Sequence, residues 1–263
     1  AAFDAINQNF SHYSPVPGFL ELRQAIAKKL KRDNNLDYKP TQICVANGAK
    51  QNIFNVLAAL VNEGDEVILP APYWVSYDEM VKINGGVSVF IETNIDTEFK
   101  MTAEQLEAAI TPKTKAVLYS SPCNPSGSYY TREELEKIAN VMAKYPYVTI
   151  ISDEIYEYIN YDGKHTSIAE FPQVYEQTAV INGMSKAFAM TGWRIGYSAC
   201  PEWLADACDK LQGQVTSGAN TVAQRASIVG LETDPKDYYY MVESFEKRRN
   251  LVYELLKEVP GFK

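Results

Sequence analysis

Residues 131–156, "TREELEKIANVMAKYPYVTIISDEIY", decide the class of fold. Thr131 followed three positions later by Glu134 is a capping-box signature that opens a helix. The helix gives way to "YVTIISDEIY" (147–156), which reads as a buried strand, and upstream "KAVLYSSP" (115–122) reads the same way. Strand, helix and strand in that order, with strands that are continuously apolar, predict parallel neighbours covered on both faces by helices.

The same alternation extends outward. Thr102 with Gln105 marks another helix start, "SYDEMVKING" (76–85) reads as a helix, and "DEVILPAP" (65–72) and "VSVFIE" (87–92) read as strands. Upstream, "GFLELRQAIAKKLKRD" (18–33) and "AKQNIFNVLAALVNEG" (49–64) carry Leu22, Ile26, Leu30 and Ile53, Leu57, Leu60 at helical spacing, and "TQICVA" (41–46) between them reads as a strand. From Pro201 to Val259 the pattern is helical, with its longest run in "YYYMVESFEKRRNLVYELLKEV" (238–259). The expected fold is α/β, with a mostly parallel central sheet flanked by helices. In such sheets ligands sit beyond the carboxyl ends of the strands.

Composition narrows the function classes. The 263 residues can bury a large core; 46% hydrophobic and 22% charged residues are ordinary globular values, and no apolar run approaches a membrane span. A net charge of -8, with basic residues grouped only briefly (Lys28, Lys29, Lys31, Arg32), argues against nucleic-acid binding. Cys44, Cys123, Cys200 and Cys208 are widely spaced and only two histidines are present, so no zinc pattern exists and no metal is expected; a reducing, cytoplasmic compartment fits. The opening "AAFDAINQNF" lacks Met and the closing "EVPGFK" follows a helix directly, so both ends are expected to be cut.

Four unusual stretches fall where strands should end. In "NGAKQ" (47–51), Gly48 and Ala49 leave the backbone open as a helix begins, which suits an anion cradle or a simple turn. In "SPCNPSG" (121–127) two prolines present the Asn124 amide, or merely form a turn. In "DEIY" (153–156), Asp153 ends a buried strand, where its carboxylate needs a cation or donor unless solvent reaches it. In "VINGMSKAFAMTGWRIGY" (180–197), Lys186 is a candidate amine nucleophile or a solvated loop residue, and Arg194 a phosphate fork or a core-edge ion pair. Together an amine, a carboxylate, an asparagine, a phosphate cradle and an arginine are what a pyridoxal phosphate enzyme must supply.

The succession "NGAKQ", "PYW", "SPCNPSG", "SDEIY", "SKAFAMTGWRIG" resembles, over nearly the whole chain, the class I and II aminotransferases of the aspartate aminotransferase fold (fold type I), closest to the bacterial aspartate enzymes. The resemblance implies that Lys186 forms the Schiff base with pyridoxal 5'-phosphate and shuttles the substrate proton. It implies that Asp153 keeps the pyridine nitrogen protonated, that Tyr156 and Asn124 bind the ring oxygen, and that Trp74 stacks on the ring. Arg194, Ser185 and the N–H groups around Gly48, Ala49 and Lys50 would hold the phosphate. Tyr13 matches a tyrosine that reaches the neighbouring subunit's phosphate, which implies a homodimer with shared sites; Trp74 as plain core and Tyr13 as a surface aromatic remain alternatives.

Two departures stand out. Where many relatives carry a serine three positions before the lysine, this chain has Gly183. The family's carboxylate-binding arginine lies in a small domain beyond residue 263. The expected organisation is therefore a large cofactor domain over 1–259, with 260–263 beginning a small domain that is largely missing. Lys50 resembles the lysine with which one bacterial subgroup, sometimes acting also on prephenate, meets the distal carboxylate; a solvated lysine is the other reading, disfavoured because a cation in a helix's first turn opposes the dipole. The expected reaction is ping-pong transamination from L-aspartate to 2-oxoglutarate, with amino acid and 2-oxo acid as partners. Alternatives are prephenate, aromatic, alanine or kynurenine aminotransferases, a carbon–sulfur lyase, the effector-sensing domain of a transcription regulator, or a stable fragment that is inactive by itself because it cannot close on substrate.

Overall fold

A computed structural model describes residues 1–163 and 165–262; Lys164 and Lys263 lie outside the described residues. Among the described residues, seven strands form one sheet: β1 (Ile43–Ala46), β2 (Glu66–Ala71), β3 (Val87–Glu92), β4 (Thr114–Ser120), β5 (Thr149–Asp153), β6 (Thr178–Gly183) and β7 (Gly196–Ala199). The helices are α1 (Ala2–Asn7), α2 (Leu20–Asn34), α3 (Ala49–Leu60), α4 (Ser76–Ile83), α5 (Ala103–Ala109), α6 (Arg132–Met142), α7 (Glu202–Val215), α8 (Thr221–Glu232) and α9 (Tyr239–Lys257), with short 3-10 turns between.

The strand order is β1-β7-β6-β5-β4-β2-β3. β3, β2, β4, β5 and β6 are parallel, whereas β7 runs against both β6 and β1. The central strands β5 and β6 are buried along their whole length, as their unbroken apolar runs require, and the edge strand β3 is largely exposed on one side. One apolar cluster (Ile53, Leu57, Leu69, Leu118, Ile151) packs α3, α4 and α7 on one face; another (Leu106, Val117, Leu135, Ile138, Ile150) packs α5 and α6 on the other.

Both anticipated capping boxes form: Thr102 and Thr131 accept from the N–H groups of Gln105 and Glu134, whose side chains reach back to the cap N–H. Neither α1 nor β7 is anticipated from the sequence. At six and four residues they are too short for a periodic signal to develop.

The single reversed strand has a geometric consequence. Gly196, the first residue of β7, pairs with Gly183 at the end of β6 and with Ala46 at the end of β1. The amino end of β7 therefore lies at the sheet edge where the parallel strands finish, and Arg194, two residues earlier, arrives beside Asn47 and Gly48. The close approach also accounts for Gly183: a Cβ there would lie 2.7 Å from the Gly196 Cα, so a serine has no room.

Candidate active site

At the carboxyl edge of the sheet lies a cavity of about 300 Å³. Each wall is a strand end. β1 leads into Ala49 and Lys50, β2 into Trp74, β4 into Ser120 and Asn124, β5 into Asp153, Ile155 and Tyr156, and β6 into Ser185 and Lys186. Arg194 closes the ring from the start of β7. The structure thus gathers Lys186, Asp153, Tyr156, Asn124, Trp74, Arg194, Ser185, Ala49 and Lys50 around one space. Two of the expected residues stay off its lining: Gly48, which shapes the wall from behind, and Tyr13, whose side chain is 95% exposed on the surface.

Asp153 is the deepest charge of the site, 4% exposed. Solvent does not reach it, and its needs are met by donors: the Tyr77 hydroxyl donates to Oδ2 at 2.7 Å and the Ile155 N–H to Oδ1 at 3.3 Å. Burial pushes its carboxyl up to about 6; the two hydrogen bonds and the Lys186 charge pull it down, and Glu154 adds to the rise. Opposite, the half-buried Lys186 carries its ammonium 5.4 Å from the centre of the Tyr156 ring.

Gly48 and Arg194 form the second half of the site. Gly48 caps α3 at φ 87°, a conformation that glycine adopts without strain, and leaves the first N–H groups of the helix without intrahelical partners. A Cβ on Gly48 would collide with the Arg194 guanidinium. That guanidinium donates to the carbonyls of Thr191 and Asn47, each at 3.0 Å, and these two bonds fix its plane at the helix N-terminus. Free N–H groups, a helix dipole, a guanidinium and the Ser185 hydroxyl converge there, a donor set that suits a phosphate dianion.

Trp74 forms a side wall, edge-on to Tyr77 with ring centroids 5.6 Å apart. The Lys50 ammonium lies 4.6 Å from the centre of the Trp74 ring, so this cation stands beside Trp74 in the cavity wall. Tyr77 is missed by sequence reasoning. The available signal is a tyrosine on the inward face of the helix read over 76–85, whose hydroxyl must find a partner when buried.

The sequence matches the family "Aminotransferase class I and II" over residues 1–263. It is 47% identical over 263 residues to a probable aspartate/prephenate aminotransferase of Rhizobium leguminosarum bv. phaseoli, covering 99% of this chain and 66% of that protein. It is 46% identical to an aspartate aminotransferase of Geobacillus stearothermophilus, covering 100% and 67%. A solved aspartate aminotransferase from Rhizobium meliloti superimposes with a TM-score of 0.97 at 42% identity, covering 99% of this chain and 66% of that structure. The chain spans about two thirds of the length of these relatives.

Proposed function

Because the chain belongs to the class I and II aminotransferases, we propose that it is the cofactor-holding part of a pyridoxal phosphate-dependent aspartate aminotransferase. The observation that carries the reading is the pairing, across one cavity, of a half-buried amine at Lys186 with the buried carboxylate of Asp153. The residues suit the cofactor on two counts. Asp153 accepts hydrogen bonds but, among the described residues, forms no ion pair, so a protonated ring nitrogen supplies the counter-charge it lacks. The bare Gly48 lets the Arg194 guanidinium stand against the start of α3, so that a cation and a helix N-terminus together offer a phosphate cradle.

Bound there, pyridoxal phosphate supplies an aldehyde for an amine to condense with and a ring that accepts electrons from the substrate's alpha carbon. Lys186 offers the amine, and once freed its Nζ is the base that takes a proton from that carbon and returns it. Asp153, kept dry by burial and oriented by Tyr77, holds a proton on the ring nitrogen. Arg194, Ser185 and the start of α3 anchor the phosphate, Asn124 and Tyr156 orient the ring oxygen, and Trp74 covers one face. Lys50 in the cavity wall favours a dicarboxylic amino acid such as L-aspartate, with 2-oxoglutarate as acceptor, because the local cation outweighs the protein's overall negative charge. The exposed Tyr13 serves a second chain's site in a homodimer. The described chain corresponds to a large domain over 1–259; of the residues 260–263 assigned to a small domain, Lys263 lies outside the described residues.

Titration with pyridoxal phosphate tests the reading. The expected result is a visible absorption band that Lys186→Ala lacks while still retaining cofactor; where the family's small domain with its carboxylate-binding arginine is joined to the chain, L-aspartate bleaches the band and Lys186→Ala abolishes turnover. Normal turnover by Lys186→Ala, or no band in the unaltered protein, overturns it. Lys50→Gln is expected to lose aspartate selectively while keeping aromatic amino acids.

A further inference from the structure

Behind Asp153, on the far side of β5, lies a second group of buried charges that the proposed chemistry does not use. Side chains alternate along a strand, so Ser152 and Glu154 project away from the cavity into which Asp153 points. Glu154 is 1% exposed. Its Oε1 accepts from the hydroxyls of Ser152 at 2.9 Å and Ser167 at 2.7 Å. Its Oε2 has no hydrogen-bond partner among the described residues and faces the Nε2 of His165, likewise unpartnered and buried, at 3.1 Å.

The charges around this pair can be balanced. From the turn after β5, Glu157 takes the Lys29 ammonium of α2 and the side-chain amides of Asn34 and Asn182. Asp33 of α2 is paired with Arg32 and the Tyr158 hydroxyl, and Tyr238 and Tyr239 border the same space from the start of α9. Glu157 and Asp33 thus each have a permanent cation, whereas Glu154 faces only His165 among the described residues. Glu154, Glu157 and His165 could in principle converge on a metal ion, but the Lys29 ammonium already sits on Glu157, where a dication would be repelled.

We propose that His165 is a positioning residue whose protonation neutralises Glu154 and thereby sets how readily the adjacent Asp153 ionises. Burial works against the imidazolium, yet the facing Glu154 carboxylate outweighs it and holds His165 above the ordinary histidine range. With His165 charged, the Glu154 pair is neutral and Asp153 carries the only net charge at the end of β5. With His165 neutral, two consecutive buried carboxylates repel, and Asp153 keeps its proton to higher pH. The assignment of a purpose to Asp153 rests on the cofactor reading above; the electrostatic coupling itself does not.

The coupling is measurable in the cofactor-free 263-residue chain. Aspartate labelled with 13C at the carboxyl carbon, with Asp153→Asn to assign the signal, reports the midpoint of Asp153 ionisation by NMR. His165→Asn is expected to raise that midpoint by about one pH unit, and Glu154→Gln in the His165→Asn background to return it to that of the unaltered chain, where the pair is already neutral. A midpoint that His165→Asn leaves unmoved overturns the proposal, and so does a His165→Asn shift that persists in the Glu154→Gln background, since it would then arise from packing. Should His165→Asn fail to fold, His165→Gln takes its place, and a midpoint that it leaves unmoved overturns the proposal. Failure of the cofactor reading shows separately, as the absence of a visible band with pyridoxal phosphate.

Discussion

Asp153 is held by one side-chain donor, and Tyr77 supplies it. Tyr77→Phe removes that bond without changing the shape of the cavity wall, so the carboxyl rises further above about 6 and pyridoxal phosphate binds more weakly, by about fivefold for a hydrogen bond of roughly 1 kcal/mol. Equilibrium titration of the cofactor checks this. Gly48→Ala acts on the other half of the site. The new methyl group meets the Arg194 guanidinium and also forces a left-handed backbone on alanine. The expected outcome is a loss of cofactor affinity of at least about tenfold, together with a lower melting temperature of the cofactor-free protein. Asp153 also makes stability depend on pH. Its folded value, raised from 3.8 to about 6, means that the folded chain holds a proton which the unfolded chain releases earlier. Its favourable contribution is complete below about pH 4 and is lost as the pH rises through about 6. Asp153→Asn abolishes this slope and makes the cofactor-free chain more stable at neutral pH by about 2 to 3 kcal/mol, to be read from urea denaturation of both proteins at each end of the window.

At the scale of elements, the capping boxes show how locally the helix starts are written. Thr131 and Glu134 satisfy each other's backbone N–H groups, and Glu134 also pairs with the buried Lys100 ammonium at 2.8 Å. Thr131→Ala is expected to cost about 1 kcal/mol of stability in the same denaturation assay, with no effect on the cofactor. Helices and buried strands of this kind were legible because their signals are periodic or continuous within one segment. β7 was not legible, because Gly196–Ala199 is only four residues long and its meaning depends on pairing with two distant strands. The site divides in the same way. Lys186, Asn124, Asp153 and Arg194 each stand at an element's end, where the alternating pattern breaks, whereas Tyr77 lies inside a helix and reads as core until its hydroxyl is seen to meet Asp153. The Glu154–His165 contact joins the end of β5 to a residue beyond the next turn, and no spacing rule links them.

For the whole molecule, the proposed pairing of two chains makes cofactor retention a collective property. Tyr13 projects almost fully from the surface, and Phe3 and Ile6 of α1 are also exposed. If Tyr13 completes a partner's phosphate site, cofactor occupancy rises with protein concentration by mass action. Tyr13→Phe then removes a hydrogen bond to a charged group and lowers affinity by about tenfold or more in the associated state only. Dilution series followed by absorbance and by sedimentation check both statements. The sheet carries a further consequence, in the time over which the chain is made. Ala46 finds its strand partner in Gly196, 150 positions later. At ordinary rates of synthesis β1 therefore waits on the order of ten seconds for β7 to emerge. The helix that follows β1 can coil early, but the fork between Gly48 and Arg194 comes together only when that last strand slots in. On the proposed reading, capture of the cofactor therefore waits for β7 to pair, and a chain interrupted before residue 194 has Lys186 but no finished cradle.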